Sequence, residues 1–346
     1  MPIPLSTLIA ASVAASLAFA PDVTVRRLAT GGYANTVSAG IAAGTLNNHA
    51  TLWIKDRTLD VHPAGFSFSA INGRTGALSV GFAGTSTLSQ TPIAWVDDRA
   101  QALPVPFDYV YGRATATDGV QIVGSASETD PERGVGASHA LLWDLPSGVV
   151  TDLGTDATVS GVGGGAQVGW QNGSRGPTAA LWRGTQGSFV DLHPQGQDVS
   201  VASDTDGTIQ VGYVGVDVRV RHEGRPRDIR FYAAGVWDGT PESFTYLPSP
   251  YRHSFATAIC AGIIVGYGNT SDAIGTPQES RAVAWVGPDH AFVDLHALLP
   301  PDMRTSRATD VDAAGNIAGY GVTSGGAVRS FVWSVAAPPR RSDDLP

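Results

Sequence analysis

The chain is poor in the residues that most often betray a function. Of its 346 residues only Cys260 is cysteine, so neither an intrachain disulfide nor a thiolate metal cluster can form. Cys260 sits in an apolar run, Ala256-Thr257-Ala258-Ile259, and reads as a small buried hydrophobe. Lys55 is the single lysine, and all other cations are arginine. Charged residues make up 15% against a usual quarter, which argues against long charge-laced helices. The net charge of −9 leaves no general cationic field, and nucleic acid is therefore not an expected partner. No G-x-S-x-G elbow, P-loop, H-E-x-x-H, C-x-x-C or dinucleotide-binding glycine pattern occurs, so the common enzyme signatures are missing. The uncharged segment 5–20 is too short to span a membrane, which takes about 20 residues. It suits the apolar core of a secretory signal, with Ser16 and Ala18 as the small pair before cleavage, or else an extra strand on the body.

Glycine and proline, by contrast, are plentiful at 42 and 22 residues, and a hydrophobic share of 42% with eight tryptophans is ample for a core. A folded, turn-rich β protein is the expectation. The tryptophans carry a period. Trp53, Trp95, Trp143, Trp182, Trp237, Trp285 and Trp333 each close a short apolar run, and their mean spacing is about 47 residues, the span of one four-stranded propeller blade. Only Trp170 falls outside the series. Before each run stands a β-branched stretch closing on glycine, such as Val168-Gly169, Val211-Gly212 and Val265-Gly266. Earlier still comes a Ser/Ala/Thr alternation, as in Ser254-Phe255-Ala256-Thr257, and after each Trp a fourth element such as Phe189-Val190-Asp191-Leu192. Small residues suit an innermost strand and larger ones the widening space between blades.

The expected fold is thus an all-β, seven-bladed β-propeller of four-stranded antiparallel blades over residues 21–336, followed by a disordered tail at 337–346. The last unit lacks its fourth strand, which residues 23–28 are expected to supply by pairing antiparallel with 329–334 and closing the ring.

Leu28-Ala29-Thr30-Gly31-Gly32-Tyr33, together with Ser138-His139-Ala140-Leu141-Leu142-Trp143 and the following Val150-Thr151-Asp152-Leu153-Gly154, resembles the HAF-family extracellular repeat, named for a His-Ala-Phe run before its Trp. Here His-Ala occurs at His49-Ala50 and His139-Ala140, with Thr51 or Leu141 in place of the Phe. The resemblance implies a secreted or surface-exposed bacterial β-propeller, of a family without a general assigned activity.

Asp60-Val61-His62, Asp191-Leu192-His193 and Asp294-Leu295-His296 invite a metal or acid–base reading. They follow outer strands of different blades, too far apart to share an ion, so the expectation is that Asp caps a turn and His covers the next blade. Asp204-Thr205-Asp206-Gly207 and Asp310-Val311-Asp312-Ala313-Ala314-Gly315 alternate carboxylates as calcium loops do, but lack the full ligand set and the distal Glu. Asx turns at hairpin bends account for them, and no cofactor is expected, with calcium the one alternative.

Three insertions, at 125–138, 214–230 and 268–280, lie between second and third strands and so share one face of a propeller. The middle one alternates with period two up to Glu223-Gly224 and reads as a projecting hairpin. Its arginines make Arg219, Arg221, Arg225 and Arg227 the expected contacts for an anionic glycan or protein. The expected function is non-enzymatic recognition by a monomer. The alternatives are a polysaccharide hydrolase or lyase using Glu128, Asp130 and Glu132, and a structural surface protein.

Overall fold

The computed structural model describes residues 22–222, 225–269 and 279–335, with backbone alone at residues 29, 220–222 and 225–227. The signal-like segment, the 337–346 tail, the 223–224 tip and most of the 268–280 insertion lie outside the described residues. Strand β1 (Val23–Thr30) comes first, followed by β2 (Gly32–Ser38), β3 (Ile41–Leu46), β4 (His49–Ile54) and β5 (Arg57–Asp60). The next group is β6 (Phe68–Thr75), β7 (Leu78–Ser86), β8 (Ser89–Val96) and β9 (Arg99–Ala102). Then come β10 (Tyr109–Thr117), β11 (Gln121–Glu128), β12 (Ser138–Asp144) and β13 (Val149–Thr155). They are followed by β14 (Ala157–Gly163), β15 (Ala166–Gly173), β16 (Gly176–Trp182) and β17 (Val190–Asp191). After these are β18 (Val199–Thr205), β19 (Gln210–His222), β20 (Arg225–Trp237) and β21 (Thr245–Tyr246). The chain continues through β22 (His253–Cys260), β23 (Ile263–Asn269), β24 (Ser280–Val286) and β25 (Ala291–Asp294). It ends with β26 (Met303–Val311), β27 (Asn316–Thr323) and β28 (Val328–Val335). Apart from three short 3-10 turns, the described residues contain no helix.

Five four-stranded sheets and one eight-stranded sheet result among the described residues. The larger one joins β6–β9 to β10–β13 through a single parallel bridge between Tyr111 and Gln90. Within every group the pairing is antiparallel and in chain order. The N-terminal strand pairs as its sequence suggests: Val23 faces Val335, Val25 faces Trp333 and Arg27 faces Phe331, making β1 the outer strand beside β28. The first strands of the groups, β2, β6, β10, β14, β18, β22 and β26, each contact the next, and β26 contacts β2 in turn.

One local feature recurs in all of these first strands. Each has a bulge, for example between Ala34 and Thr36, between Ala114 and Ala116, and between Ala256 and Ala258. The residue skipped by the bulge is polar, and its side chain reaches the next first strand. Asn35 Nδ2 donates to the Ile71 carbonyl and Asn72 Nδ2 to that of Ala114, both at 2.8 Å. Thr115 Oγ1 donates to the Val159 carbonyl at 2.7 Å, Thr257 Oγ1 to Ala308 at 3.0 Å, and Thr309 Oγ1 back to Ala34 at 2.9 Å. Opposite each bulge the second strand carries glycine. A Cβ on Gly44, Gly81, Gly124, Gly169, Gly212, Gly266 or Gly319 would stand 1.8–2.2 Å from a first-strand carbonyl oxygen, so no side chain fits there.

The seven periodic tryptophans lie on the third strands and are 0–3% exposed. Five of them donate the indole N–H to the chain leaving the preceding group: Trp95 to Val61 O at 2.8 Å, Trp143 to Pro104 O at 2.6 Å and Trp237 to Leu192 O at 2.8 Å. Trp285 bonds Pro248 O at 2.6 Å and Trp333 bonds Leu295 O at 3.1 Å. Trp53 Nε1 is buried without a partner. The connection before its group is Gly31 alone, so no loop carbonyl is at hand.

These tryptophans wedge apolar clusters between adjacent groups; Trp285, for instance, packs with Val211, Ile259 and Ile264. Trp285→Ala should lose about 3–5 kcal/mol by emptying such a site. Trp285→Phe should cost about 1–3 kcal/mol more than Trp53→Phe, because only the former orphans a buried carbonyl. Urea midpoints measure both, and equal losses for the two phenylalanine variants would reject the role given to the indole bond.

Candidate binding face

Antiparallel order puts the second-to-third-strand loops and the connections between groups at the same end of the strands. One register step from the glycines toward that end, large side chains meet across neighbouring groups. Tyr33 packs edge-on against Tyr320 with ring centres 4.9 Å apart, and Phe255 against Tyr213 at 5.0 Å. The Arg113 guanidinium lies 4.3 Å from the centre of the Phe82 ring, and that of Arg307 4.2 Å from Tyr267. In each pair the first-strand residue of one group covers the second-strand aromatic of the group before. Arg113 is exposed and Arg307 half-buried. Burial, with neighbouring tyrosines, pushes the Tyr213 hydroxyl up to about 12, and burial raises Tyr267 as well. Sequence reasoning missed this layer. Its signal was the aromatic residue after the second-strand glycine, as in Gly81-Phe82, Gly169-Trp170, Gly212-Tyr213, Gly266-Tyr267 and Gly319-Tyr320; Trp170, outside the tryptophan series, takes this place.

Beside the layer rises the hairpin. β19 and β20 run 13 residues each, where the other second strands have six to nine, and they pair continuously from Gln210–Trp237 to His222–Arg225. Its base is fixed by ions. Arg230 grips Asp217 with Nε and Nη2, each at 2.8 Å, and Asp198 accepts the Asp217 N–H at 2.7 Å and Arg175 Nη1 at 2.7 Å. These bonds hold the Asp217 carboxyl, through Arg230, and the Asp198 carboxyl, through the Asp217 N–H and Arg175, below their ordinary values. Arg219 is exposed on the hairpin opposite Asp228. The side chains of Arg221, Arg225 and Arg227 lie outside the described residues; their backbones are on the paired strands.

The 125–138 insertion folds as a short loop around an open cavity of about 480 Å³ that includes Glu128, Asp130 and Glu132. The three carboxylates differ in their ties. Asp130 Oδ1 is engaged by the N–H groups of Glu132 and Arg133 at 2.8 and 2.9 Å. Glu128 Oε1 meets His139 Nε2 at 3.1 Å, while His139 Nδ1 meets Asp152 Oδ2 at 2.6 Å. His139 thus clamps β11 to β13. In the other His-Ala run, His49 Nδ1 lies 2.7 Å from Asp60 Oδ2 and the ring stacks on His62 at 3.9 Å.

The three Asp-x-His runs do structural work. Asp60 and Asp191 accept the N–H two residues on, and Asp294 accepts that of Ala297. Each ring then meets a serine of the next first strand: His62 to Ser69, His193 to Ser200 and His296 to Ser306, at 2.7–2.8 Å. The Gln197 carbonyl can only accept, so His193 Nε2 carries the hydrogen and Nδ1 receives that of Ser200. Burial lowers the His296 value. Asp206 and Asp312 accept backbone N–H groups within their own turns, as Asx turns do. Among the described residues no three His, Cys, Asp or Glu side chains are placed to hold a metal ion.

Asp204 and Asp310 are different. They sit just past their bulges, and each reaches the next first strand, Asp204 Oδ2 accepting the Ile259 N–H at 2.9 Å and Asp310 Oδ2 the Val37 N–H at 2.9 Å. Burial pushes Asp204 up to about 8 and Asp310 to about 6. Burial and these aspartates together raise the Cys260 thiol to about 11, which leaves it a poor nucleophile.

With this geometry in hand, the chain can be set beside known proteins. No family model and no curated protein matches it. Among solved structures it is similar to the tricorn protease, at TM-score 0.56 and 10% identity over 94% of this chain, though it spans only 36% of that one. It is also similar to an oligogalacturonate lyase from Vibrio parahaemolyticus, at TM-score 0.53 and 10% identity over 91% of this chain and 98% of that one. The β-propeller domain of the Trilobed protease from Pyrococcus furiosus aligns at TM-score 0.45 and 11% identity over 78% and 83% of the two chains. The fold is a β-propeller. At such identities the likeness speaks for the fold alone. No helix among the described residues of the propeller is long and apolar enough to cross a membrane.

The raised aspartates give the propeller a pH dependence. An unfolded chain loses these protons near pH 4, whereas the folded one keeps them to about pH 6 and 8. The folded state therefore binds more protons in between, and stability falls as pH rises through that window. Asp204→Asn, which keeps an acceptor for Ile259, should flatten the fall between about pH 6 and 8 and be at least as stable as wild type at pH 8. Melting temperatures across this range decide it; an unchanged slope would reject the protonated Asp204.

Proposed function

We propose that this chain is a seven-bladed propeller, secreted or displayed at the cell surface, that serves as a non-enzymatic scaffold binding an anionic glycan or protein on its insertion-bearing face. The blade count is supported by the seven four-strand groupings, with β1 completing the last and one bridge linking the second and third. The resemblance to HAF repeats and the uncharged 5–20 segment support export.

The observation that carries the binding role is the pairing of Arg113 and Arg307 with aromatic rings beside an ion-anchored hairpin bearing Arg219. Guanidinium forks match carboxylate and sulfate geometry, and aromatic and Arg side chains dominate binding hot spots. Arg221, Arg225 and Arg227 extend the cationic run along the hairpin. On a protein of net charge −9 such a concentration of cations is local, and it would give an anionic ligand one place to dock.

A second reading, a hydrolase or lyase of polysaccharide, draws on the cavity shared by Glu128, Asp130 and Glu132 and on the likeness in fold to the oligogalacturonate lyase. Asp130 is already bound to its own turn, which leaves Glu128 and Glu132 to carry any acid–base step.

A glycan and polyanion array separates the readings. The purified protein should bind acidic or sulfated glycans with an affinity that drops as salt rises. Replacing Arg219, Arg221, Arg225 and Arg227 together by Ala, or Arg113 and Arg307 together, should weaken capture at least about tenfold. Unchanged capture by both variants would overturn the assignment of the site, and release of shortened or unsaturated products, lost in Glu128→Gln, would favour catalysis.

A further inference from the structure

Five third-strand tryptophans hand their indole hydrogen to a loop carbonyl of the preceding group, and Trp182 does not. Its side chain is 1% exposed, yet no hydrogen-bond partner for it exists among the described residues. The cause lies in the connection before its group. Elsewhere the chain leaves the fourth strand through residues 61–67, 103–108, 192–198, 247–252 or 295–302, and the first or second residue of each supplies the carbonyl. Between β13 and β14 the connection is Asp156 alone. Gly154, at φ 137°, carries β13 through a bulge so that it stays paired with β12 as far as Thr155. A backbone angle of that kind favours glycine.

The loop's place is left as a cavity of about 240 Å³, walled by Leu153, Gly154, Gln171, Trp182, Gln186 and Phe189. The Phe189 ring is 40% exposed and stands 5.8 Å from that of Trp182. The walls are apolar or neutral amides, and no charged side chain contributes. The volume is below the roughly 300–1,000 Å³ of pockets for whole small molecules, and suits one side chain with its peptide group.

We propose that this cavity is a docking site for an extended peptide segment of a partner protein, which inserts one Leu or Pro side chain and lets a backbone carbonyl accept the Trp182 indole N–H. The protein itself supplies the template. In the five filled interfaces the acceptor carbonyl belongs to Val61, Pro104, Leu192, Pro248 or Leu295, all small or medium apolar residues in extended chain. A peptide that repeats this arrangement satisfies a donor that the fold leaves free, and gains the desolvation energy of one buried apolar side chain. The site is separate from the arginine hairpin and stands or falls independently of glycan binding.

The test uses the full-length protein with nitrogen-15-labelled tryptophan, whose eight indole signals can be followed singly, with that of Trp182 assigned from Trp182→Phe. The probe is the capped heptapeptide Val-Asp-Leu-His-Pro-Gln-Gly, the sequence of residues 190–196, which fills the matching place beside Trp237. The Trp182 signal alone should shift saturably at millimolar peptide, and Phe189→Ala or Gln186→Ala should weaken the response about threefold or more. Both side chains are at the surface, and unchanged positions of the other indole signals will show that each variant is folded. No shift at about 10 mM peptide, a shift of a different or of several indoles, or saturation by methyl glucoside without a response to peptide would each overturn the proposal.

Discussion

The fold rests on one close approach, that between a second-strand glycine and the carbonyl of a bulged first strand. The oxygen comes within 1.8–2.2 Å of where a Cβ would be, and this happens in every group. Because the second strand yields that space, the first strand can bulge, and the residue freed by the bulge turns its polar side chain toward the neighbouring first strand. The hydrogen bonds of Asn35, Asn72, Thr115, Thr257 and Thr309 follow from it. Side chain to backbone bonds of this sort fix the spacing between sheets that share almost no backbone pairing. The two positions with serine, Ser160 and Ser203, are relieved in another way: Asp204 reaches Ile259 instead, and Gly161 lies so close to Asp204 that a Cβ would sit 2.6 Å from its Cα.

Outward from the first strands, the interfaces are closed by a second device, the indole bond to the connecting chain. Its two exceptions share a cause. Before Trp53 and before Trp182 the connection shrinks to one residue, Gly31 or Asp156, and the acceptor carbonyl disappears with the loop. The outcomes diverge because the surroundings do. Trp53 is sealed by Val37, Ala42, Ala318 and Val332, so its donor is a pure cost to the seam where the chain's two ends meet. Beside Trp182 the seal is incomplete and a cavity opens.

Much of this architecture was legible in the residues. The Trp period, the β-branched run ending in glycine and the small polar alternation each mark a physical role: wedge, close approach and bulge. Even the register of β1 against β28 could be read, since 23–28 resembles the fourth strands elsewhere. What stayed hidden depends on contacts between groups about 40 to 50 residues apart in sequence. The aromatic after each second-strand glycine looked like strand filler until Arg113 and Arg307 were found lying over two of the rings. The unequal connections were visible as numbers, but only the carbonyls they supply give those numbers meaning. The arginines of the hairpin were legible as a cluster, whereas the Arg230–Asp217–Asp198–Arg175 chain that anchors it needed the fold.

These levels separate what must be rigid from what can vary. Glycine, bulge, indole and histidine–serine bonds all lie between strands or at connections, where a change disturbs two groups at once. The face that carries the insertions is tied to this frame at a few points only: Asp198 for the hairpin, His139 for the Glu128 loop. Its remaining side chains take no part in holding sheets together. Loops on such a scaffold can lengthen at little thermodynamic expense, since doubling a loop costs only about 0.6 kcal/mol in closure entropy. A hairpin of paired strands loses still less order on binding, because its backbone is already fixed. That is the physical reason to place recognition on this face, and it holds whichever anion the arginines meet.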